Sequence, residues 1–248
     1  MRLDVLLGES TPAPSEVAGR VVVVIDVLRA STVMVQALVN GAKAVVPFAE
    51  VDEVVATAQR FTRDEVRLAG ERRALPIPGF DAGNSPQAMT EELVRGRTVL
   101  MTTTNGTSAL LASQGARRVY VAAFVNLSAT AAVVTAHVRA GANVLVVCAG
   151  QDRRFALEDA VCAGALVQDV ARACRGLVLG DAALVSKQLG RRYATNLARL
   201  AVDAEHAHTL RAAGFADDVQ FCLTRDSMPL VITYADRQVS RERILSAA

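Results

Sequence analysis

The chain has 248 residues, 52% of them hydrophobic and 21% charged, with a formal net charge of +2. That is enough apolar material to bury a full core, and the charge comes from dispersed arginines without a basic run. With few aromatic residues besides, a nucleic-acid groove and a membrane patch are excluded, and a small anionic ligand is the partner to look for.

No basic-plus-apolar leader opens the sequence, and no apolar run approaches the roughly 20 residues of a membrane span, so a cytoplasmic location is expected. In chain order, residues 2–7 predict a short strand, followed by a loop at Pro12 and Pro14. Residues 21–25 are five consecutive apolar β-formers, the pattern of a strand covered on both faces. This strand stops on Asp26-Val-Leu-Arg29-Ala-Ser31-Thr32. Ser31 or Thr32 can cap a helix over 33–40, whose free N–H groups favour an anion. Asp26 could hold a metal and Arg29 could clamp a phosphate; the plainer alternative is a strand end with an N-cap and a surface ion pair.

Asn40-Gly41-Ala42 ends that helix with a glycine able to take the left-handed cap. Residues 43–48 predict a strand, 50–62 an amphipathic helix through Val51, Val54, Val55 and Ala58, and 66–69 another strand. Residues 70–86 hold too many prolines and glycines for regular structure, and long loops of this kind are often functional. Then come a strand at 98–102, a hydroxyl-rich turn at 103–107, a helix at 108–114 and a strand at 118–123. A helix at 126–139, a strand at 144–148 and a helix at 159–173 follow. Three helices that end in Gly-Ala and run straight into a strand suggest stacked βα units and an old duplication.

The fold class expected is therefore α/β: three layers, α/β/α, around a largely parallel, mixed sheet, with a mainly helical C-terminal region. A single domain over 1–248 is expected, with a βα core to residue 175. Helices at 181–189, 196–205 and 208–213 and an edge strand at 230–235 complete it. In such a sheet the loops after the strands gather on one edge, which brings Asp26–Thr32, Gly70–Arg72, Thr103–Thr107, Asn126 and 149–158 to one pocket.

Cys148 and Arg154 have the C-x5-R spacing of thiolate phosphatases, but Asp152 inside that ring would repel a dianion, so Cys148 reads as a buried strand end. The four cysteines form no C-x-x-C pair, and His206 and His208 diverge on a helix and read as surface residues. Nucleotide loops are missing, and Glu158-Asp159 opens the helix at 159–173. Hard oxygen ligands of this kind suit Mg²⁺ better than zinc.

Asp26-Val-Leu-Arg29-Ala, Asn40-Gly-Ala42, Gly70-Glu-Arg72, Gly79-Phe-Asp81 with Gly83-Asn-Ser-Pro86, Thr103-Thr-Asn-Gly-Thr107, Asn126, Cys148-Ala-Gly150 and Glu158-Asp159 stand in this order. Over about 22–164 the chain thereby resembles the 2-phosphosulfolactate phosphatase family. The resemblance implies a Mg²⁺-dependent phosphoric monoester hydrolase that converts 2-phospho-3-sulfolactate to 3-sulfolactate and phosphate, a step towards coenzyme M in methanogens. It implies Asp26, Arg29, Asn105 and Glu158 as catalytic residues. Substrate would meet Ser31, Thr32, Arg72, Asn84, Ser85, Thr104, Gly106, Thr107 and Asn126. Mg²⁺ would meet Asp26, Asp81, Glu158 and Asp159. Val33 replaces a hydroxyl residue of the family pattern, and Asp152-Arg153-Arg154 replaces a glycine-rich stretch, changes that bear on the anion held beside the phosphate. The C-terminal third matches only loosely, through Asp217-Asp218 and Cys222. Asp26 can serve as metal ligand or nucleophile, and a homodimer is left open. An anion-binding or regulatory protein without chemistry, or a phosphatase for another small phosphorylated acid, is the alternative.

Overall fold

The computed structural model describes residues 1–8 and 11–242. Its first half runs β1 (Arg2–Leu6), α1 (Pro14–Val17), β2 (Val21–Ile25), α2 (Ala30–Val39), β3 (Ala44–Phe48), α3 (Val51–Ala58), β4 (Val66–Arg72) and β5 (Leu75–Pro76). Next come α4 (Glu91–Val94), β6 (Thr98–Thr102), α5 (Gly106–Ala112), β7 (Arg118–Ala122), α6 (Leu127–Arg139), β8 (Val144–Cys148) and α7 (Leu157–Ala173). The last third holds β9 (Val178–Leu179), α8 (Asp181–Tyr193), α9 (Leu197–Asp203), α10 (Glu205–Ala212), α11 (Ala216–Cys222), β10 (Ile232–Ala235) and β11 (Gln238–Arg241).

All the strands join one sheet in the order β5-β4-β6-β3-β11-β10-β7-β2-β8-β1-β9. β2 is parallel to both its neighbours, β7 and β8, and all five of its residues are buried. Strand alternation sends Val21, Val23 and Ile25 into one core with α6 and α7, and Val22 and Val24 into another with α2 and α5. This is the three-layer α/β/α arrangement, and it accounts for the unbroken apolar run in the sequence.

The expected glycine caps form. Gly41 and Gly141 take φ of 91° and 88°, and Ala42 and Ala142 donate back to the carbonyls of Ala37 and His137 at 2.9 and 3.0 Å. Several boundaries shift. α2 starts three residues earlier than the capping argument placed it, because Ser31 and Thr32 lie inside the helix. α3 is shorter than expected, with Val54 buried and Val55 exposed. The stretch expected to be irregular after residue 69 instead extends β4 to Arg72 and turns back as β5.

The strand expected at the edge lies in the interior. β10 pairs antiparallel with β7 on one side and β11 on the other, and β11 reaches β3 at Val239–Val45. A C-terminal hairpin thus joins two parallel half-sheets, β4-β6-β3 and β7-β2-β8-β1-β9. Four strands separate β6 from β2, roughly 24 Å at the usual strand spacing if the sheet were flat. Yet α5, which follows β6, starts against the Asp26 carboxylate after β2. The sheet therefore curls, bringing the loops of its two halves together.

Candidate active site

β2 delivers Asp26 into a loop that bonds to itself. The Asp26 N–H donates to Ser31 Oγ at 3.0 Å, the Ala30 N–H donates to Asp26 Oδ1 at 3.1 Å, and Thr32 Oγ1 donates to the Val27 carbonyl at 2.9 Å. Ser31 and Thr32, expected to meet substrate, are buried and spend their hydroxyls on this loop. Asp26 Oδ2 lies against Gly106, where a Cβ would come within 2.5 Å of it, so only glycine leaves room for the carboxylate.

A cavity of about 200 Å³ opens over this carboxylate, small beside the roughly 300–1,000 Å³ of drug-sized ligand pockets. Of the residues expected in the site, Asp26, Arg29, Asn84, Thr104 and Asn105 line it. Glu71, Arg73, Ala74, Thr103, Gln151, Asp152 and His206 are further lining residues. The Asn84 amide oxygen is buried without a hydrogen-bond partner. Asn105 Oδ1 accepts from the Asp152 N–H at 3.1 Å, tying the loops after β6 and β8 together. Thr104 gives both its N–H and its hydroxyl to Glu71 Oε1, at 2.8 and 2.9 Å.

Arg29 is buried in the wall. One guanidinium nitrogen donates to Asp218 Oδ2 at 2.7 Å, the other to the Ala74 carbonyl at 3.0 Å, and its carbon stands 4.2 Å over the Phe215 ring. Ser85, expected to touch substrate, donates instead to Asp218 Oδ1 at 2.7 Å.

Glu158 and Asp159 sit behind Asp26 at the start of α7. Glu158 Oε1 lies 3.1 Å from His206 Nδ1. Asp159 accepts from the Val27 N–H at 2.8 Å and the Gly150 N–H at 3.0 Å, so both its oxygens brace the loops after β2 and β8. Burial, together with the charges of Glu71 and Glu158, pushes the Asp26 carboxyl up to about 6 against the opposing pull of His206 and the Ala30 N–H. Burial, then the charges of Asp26 and Glu158, push Asp159 up as well. Burial alone would lower His206, but the hydrogen bond to Glu158 and the charges of Glu158 and Asp26 hold it above the ordinary histidine value. His206 is therefore a pocket residue and not the surface histidine that its spacing from His208 suggested.

Four expected residues fall elsewhere. Arg72 faces the opposite side of β4 from Glu71, and its guanidinium donates to the Ala49 carbonyl at 3.2 Å and Thr102 Oγ1 at 3.1 Å. Asp81 accepts from the Leu68 N–H at 2.8 Å and lines a separate groove beside α3. Asn126 is buried and donates to the carbonyls of Val121 and Leu230 at 3.1 and 3.0 Å, pinning the chain that enters β10. Thr107 closes a local ring with Thr103 and does not reach the cavity. In place of Arg72, Arg73 reaches the pocket, because Arg73 and Ala74 both take left-handed φ, 52° and 67°, in the β4–β5 turn. Such turns in non-glycine residues cost roughly 1–2 kcal/mol each and concentrate at functional sites.

Among the described residues no three His, Cys, Asp or Glu side chains converge to hold a metal by themselves. The donor set still fits Mg²⁺, which commonly takes one or two carboxylates and completes its shell with substrate phosphate and water. Asp26 Oδ2, which accepts no hydrogen bond from the described residues, would supply one such oxygen. Cys148 is buried and lines a neighbouring cavity, and burial pushes its thiol well up, the reverse of what a nucleophile needs.

A family model described as 2-phosphosulpholactate phosphatase matches residues 7–237. A protein from Symbiobacterium thermophilum is 41% identical over 92% of this chain and 97% of its own. Proteins from Clostridium beijerinckii and Thermotoga petrophila are 32% and 36% identical, over 98% and 93% of this chain and 100% and 94% of theirs. All three are named probable 2-phosphosulfolactate phosphatase.

Proposed function

The chain belongs to the 2-phosphosulfolactate phosphatase family, and from that premise we propose that it hydrolyses 2-phospho-3-sulfolactate to 3-sulfolactate and phosphate in the cavity over Asp26, with Mg²⁺. The observation that carries this reading is the meeting of Asp26, Arg29 and His206 in one small cavity built by both half-sheets. Among the described residues no helix is long and apolar enough to cross a membrane.

In this reading water adds to phosphorus as the bond to the sulfolactate oxygen breaks. Asp26 orients the water or attacks in its place, and the fixed Arg29 fork donates to the phosphoryl oxygens as charge gathers on them. His206, with Nδ1 against Glu158, has Nε2 left to hand a proton to the leaving alkoxide. Asp26 and Glu158 are the residues that would hold Mg²⁺, and the bound ion would supply neutralisation of phosphoryl charge.

A metal route and a thiolate route predict opposite responses. Cys148→Ser is expected to keep most turnover, within about threefold, while chelator stops it in the parent and the variant alike. Colorimetric phosphate release measures both. Loss of turnover in a well-folded Cys148→Ser, with none lost to chelator, would put the reaction on the thiol.

The substrate's carboxylate and sulfonate need a cation that Arg29 cannot supply, since Asp218 already neutralises it. Arg73 lines the cavity and has no carboxylate partner among the described residues. Arg73→Ala is expected to raise KM about tenfold for the sulfonated substrate, with little change for a simple phosphate ester. Arg72→Lys is expected to affect the two substrates alike. Steady-state kinetics on both esters checks this, and a KM effect confined to Arg72→Lys would reverse the assignment.

A further inference from the structure

The geometry points to Asp218 as a positioning residue that sets the plane of the Arg29 guanidinium toward the bound phosphoryl group. This rests on the reading that the Asp26 cavity takes a phosphate ester. Asp218 comes from α11, 189 residues beyond Arg29, and its side chain is 4% exposed against 2% for Arg29. A buried ion pair in the wall of a polar cavity has a net charge near zero, so it adds little long-range attraction for an anion. What it supplies is direction.

Arg29 is held on three sides. Asp218 Oδ2 takes one terminal nitrogen, the Ala74 carbonyl takes the other, and Phe215 stacks on one face. Of the five N–H donors of a guanidinium, two are spent in this way and three remain for a ligand. Asp218 is itself fixed by Ser85, which donates to its second oxygen at 2.7 Å, so the carboxylate cannot swing with the arginine. Ala74 lies in the left-handed turn after β4 and Phe215 immediately precedes α11. The frame around Arg29 therefore draws on the β4–β5 turn, the 84–85 loop and the C-terminal third together. A fixed guanidinium matches the tetrahedral oxyanion without paying ordering entropy when the ligand arrives.

A double-mutant cycle over Asp218→Asn and Arg29→Lys, in the full chain with Mg²⁺, separates positioning from bulk structural support. Asp218→Asn keeps the shape of the side chain and removes its charge. It is expected to lower kcat about 10–100-fold on 2-phospho-3-sulfolactate, with KM raised no more than about tenfold and a melting temperature showing a folded protein. In the Arg29→Lys background the same substitution should cost less than threefold more, because there is no fork left to orient. Equal, multiplicative losses in both backgrounds, or full activity in Asp218→Asn, overturn the proposal. Should Asp218→Asn fail to fold, Ser85→Ala frees one carboxylate oxygen and is expected to give a smaller kcat loss with the same non-additivity; additive behaviour there overturns the proposal too.

A second readout uses inorganic phosphate as the probe, by calorimetric titration. Asp218→Asn is expected to weaken its binding about tenfold in the Arg29 protein and hardly at all in Arg29→Lys. If the parent does not hydrolyse the sulfonated ester but this binding pattern holds, the positioning role stands and the substrate assignment falls. If the parent turns over while phosphate binding is indifferent to Asp218 in both backgrounds, the positioning role falls and the substrate assignment stands.

Discussion

An Asp26→Asn protein is expected to release no phosphate and yet to melt at a higher temperature than the parent when both are held in chelator at pH 7. The loss follows from the place of the carboxylate, against Gly106 in the floor of the cavity with one oxygen unspent. Removing a group that either attacks or orients and helps hold the metal should cost about a thousandfold or more in kcat. The stability gain follows from the same carboxyl being pushed up to about 6, chiefly by burial. Its folded value lies above the unfolded value of about 4, so the folded chain binds the proton more tightly. Below pH 4 the group is neutral in both states and its contribution is fully present. Between about 4 and 6 the unfolded chain ionises first, so stability falls as pH rises, and above 6 the loss is complete. Over two pKa units that is on the order of 3 kcal/mol, or about 6–12 °C for a chain of this size. Asparagine carries no such charge, so Asp26→Asn should remove the fall. Melting curves at pH 4.5 and 7 in chelator measure this. A variant less stable than the parent at pH 7 would show that Asp26 is held by contacts beyond those described.

The second large effect lies outside the cavity lining. Val239 is fully buried in β11 and faces Val45 across the junction of the two half-sheets and Tyr234 within the hairpin. Val239→Asp should therefore fail to fold, since an unpaired buried carboxylate costs more than about 4–5 kcal/mol out of a total stability near 5–15. Val239→Ala should lose only about 2 kcal/mol and stay soluble. Soluble yield and melting temperature check the pair. A Val239→Asp protein melting within a few degrees of the parent would return β10 and β11 to the sheet edge.

These two sites mark what was legible in the sequence. The strand ending at Asp26 declared itself through five apolar residues and an abrupt polar stop, because burial on both faces demands that run. Gly41 and Gly141 declared the ends of α2 and α6, since few other residues take that φ. The interior place of β10 left no local mark. Ile-Thr-Tyr-Ala reads the same at an edge or inside, and the choice is made by pairing with β7, more than a hundred residues earlier.

His206 was missed for a related reason. Its spacing from His208 argues against a shared metal, but not against a carboxylate on another helix, and the bond to Glu158 spans 48 residues. The exchange of Arg72 for Arg73 could have been anticipated. Had the strand after residue 65 been carried through to Arg72, alternation would have put Glu71 and Arg72 on opposite faces. The prolines and glycines that followed hid that extension. Asp81 and Asn126 stand in the right motifs, yet their side chains bond to backbone groups that shape loops, a distinction that spacing does not carry.

The most direct measurement is phosphate release from 2-phospho-3-sulfolactate by the parent and Asp26→Asn, each with Mg²⁺ and with chelator. The account predicts turnover only in the parent with Mg²⁺, while Asp26→Asn remains folded and silent. Undiminished turnover by Asp26→Asn, or by the parent in chelator, would contradict it.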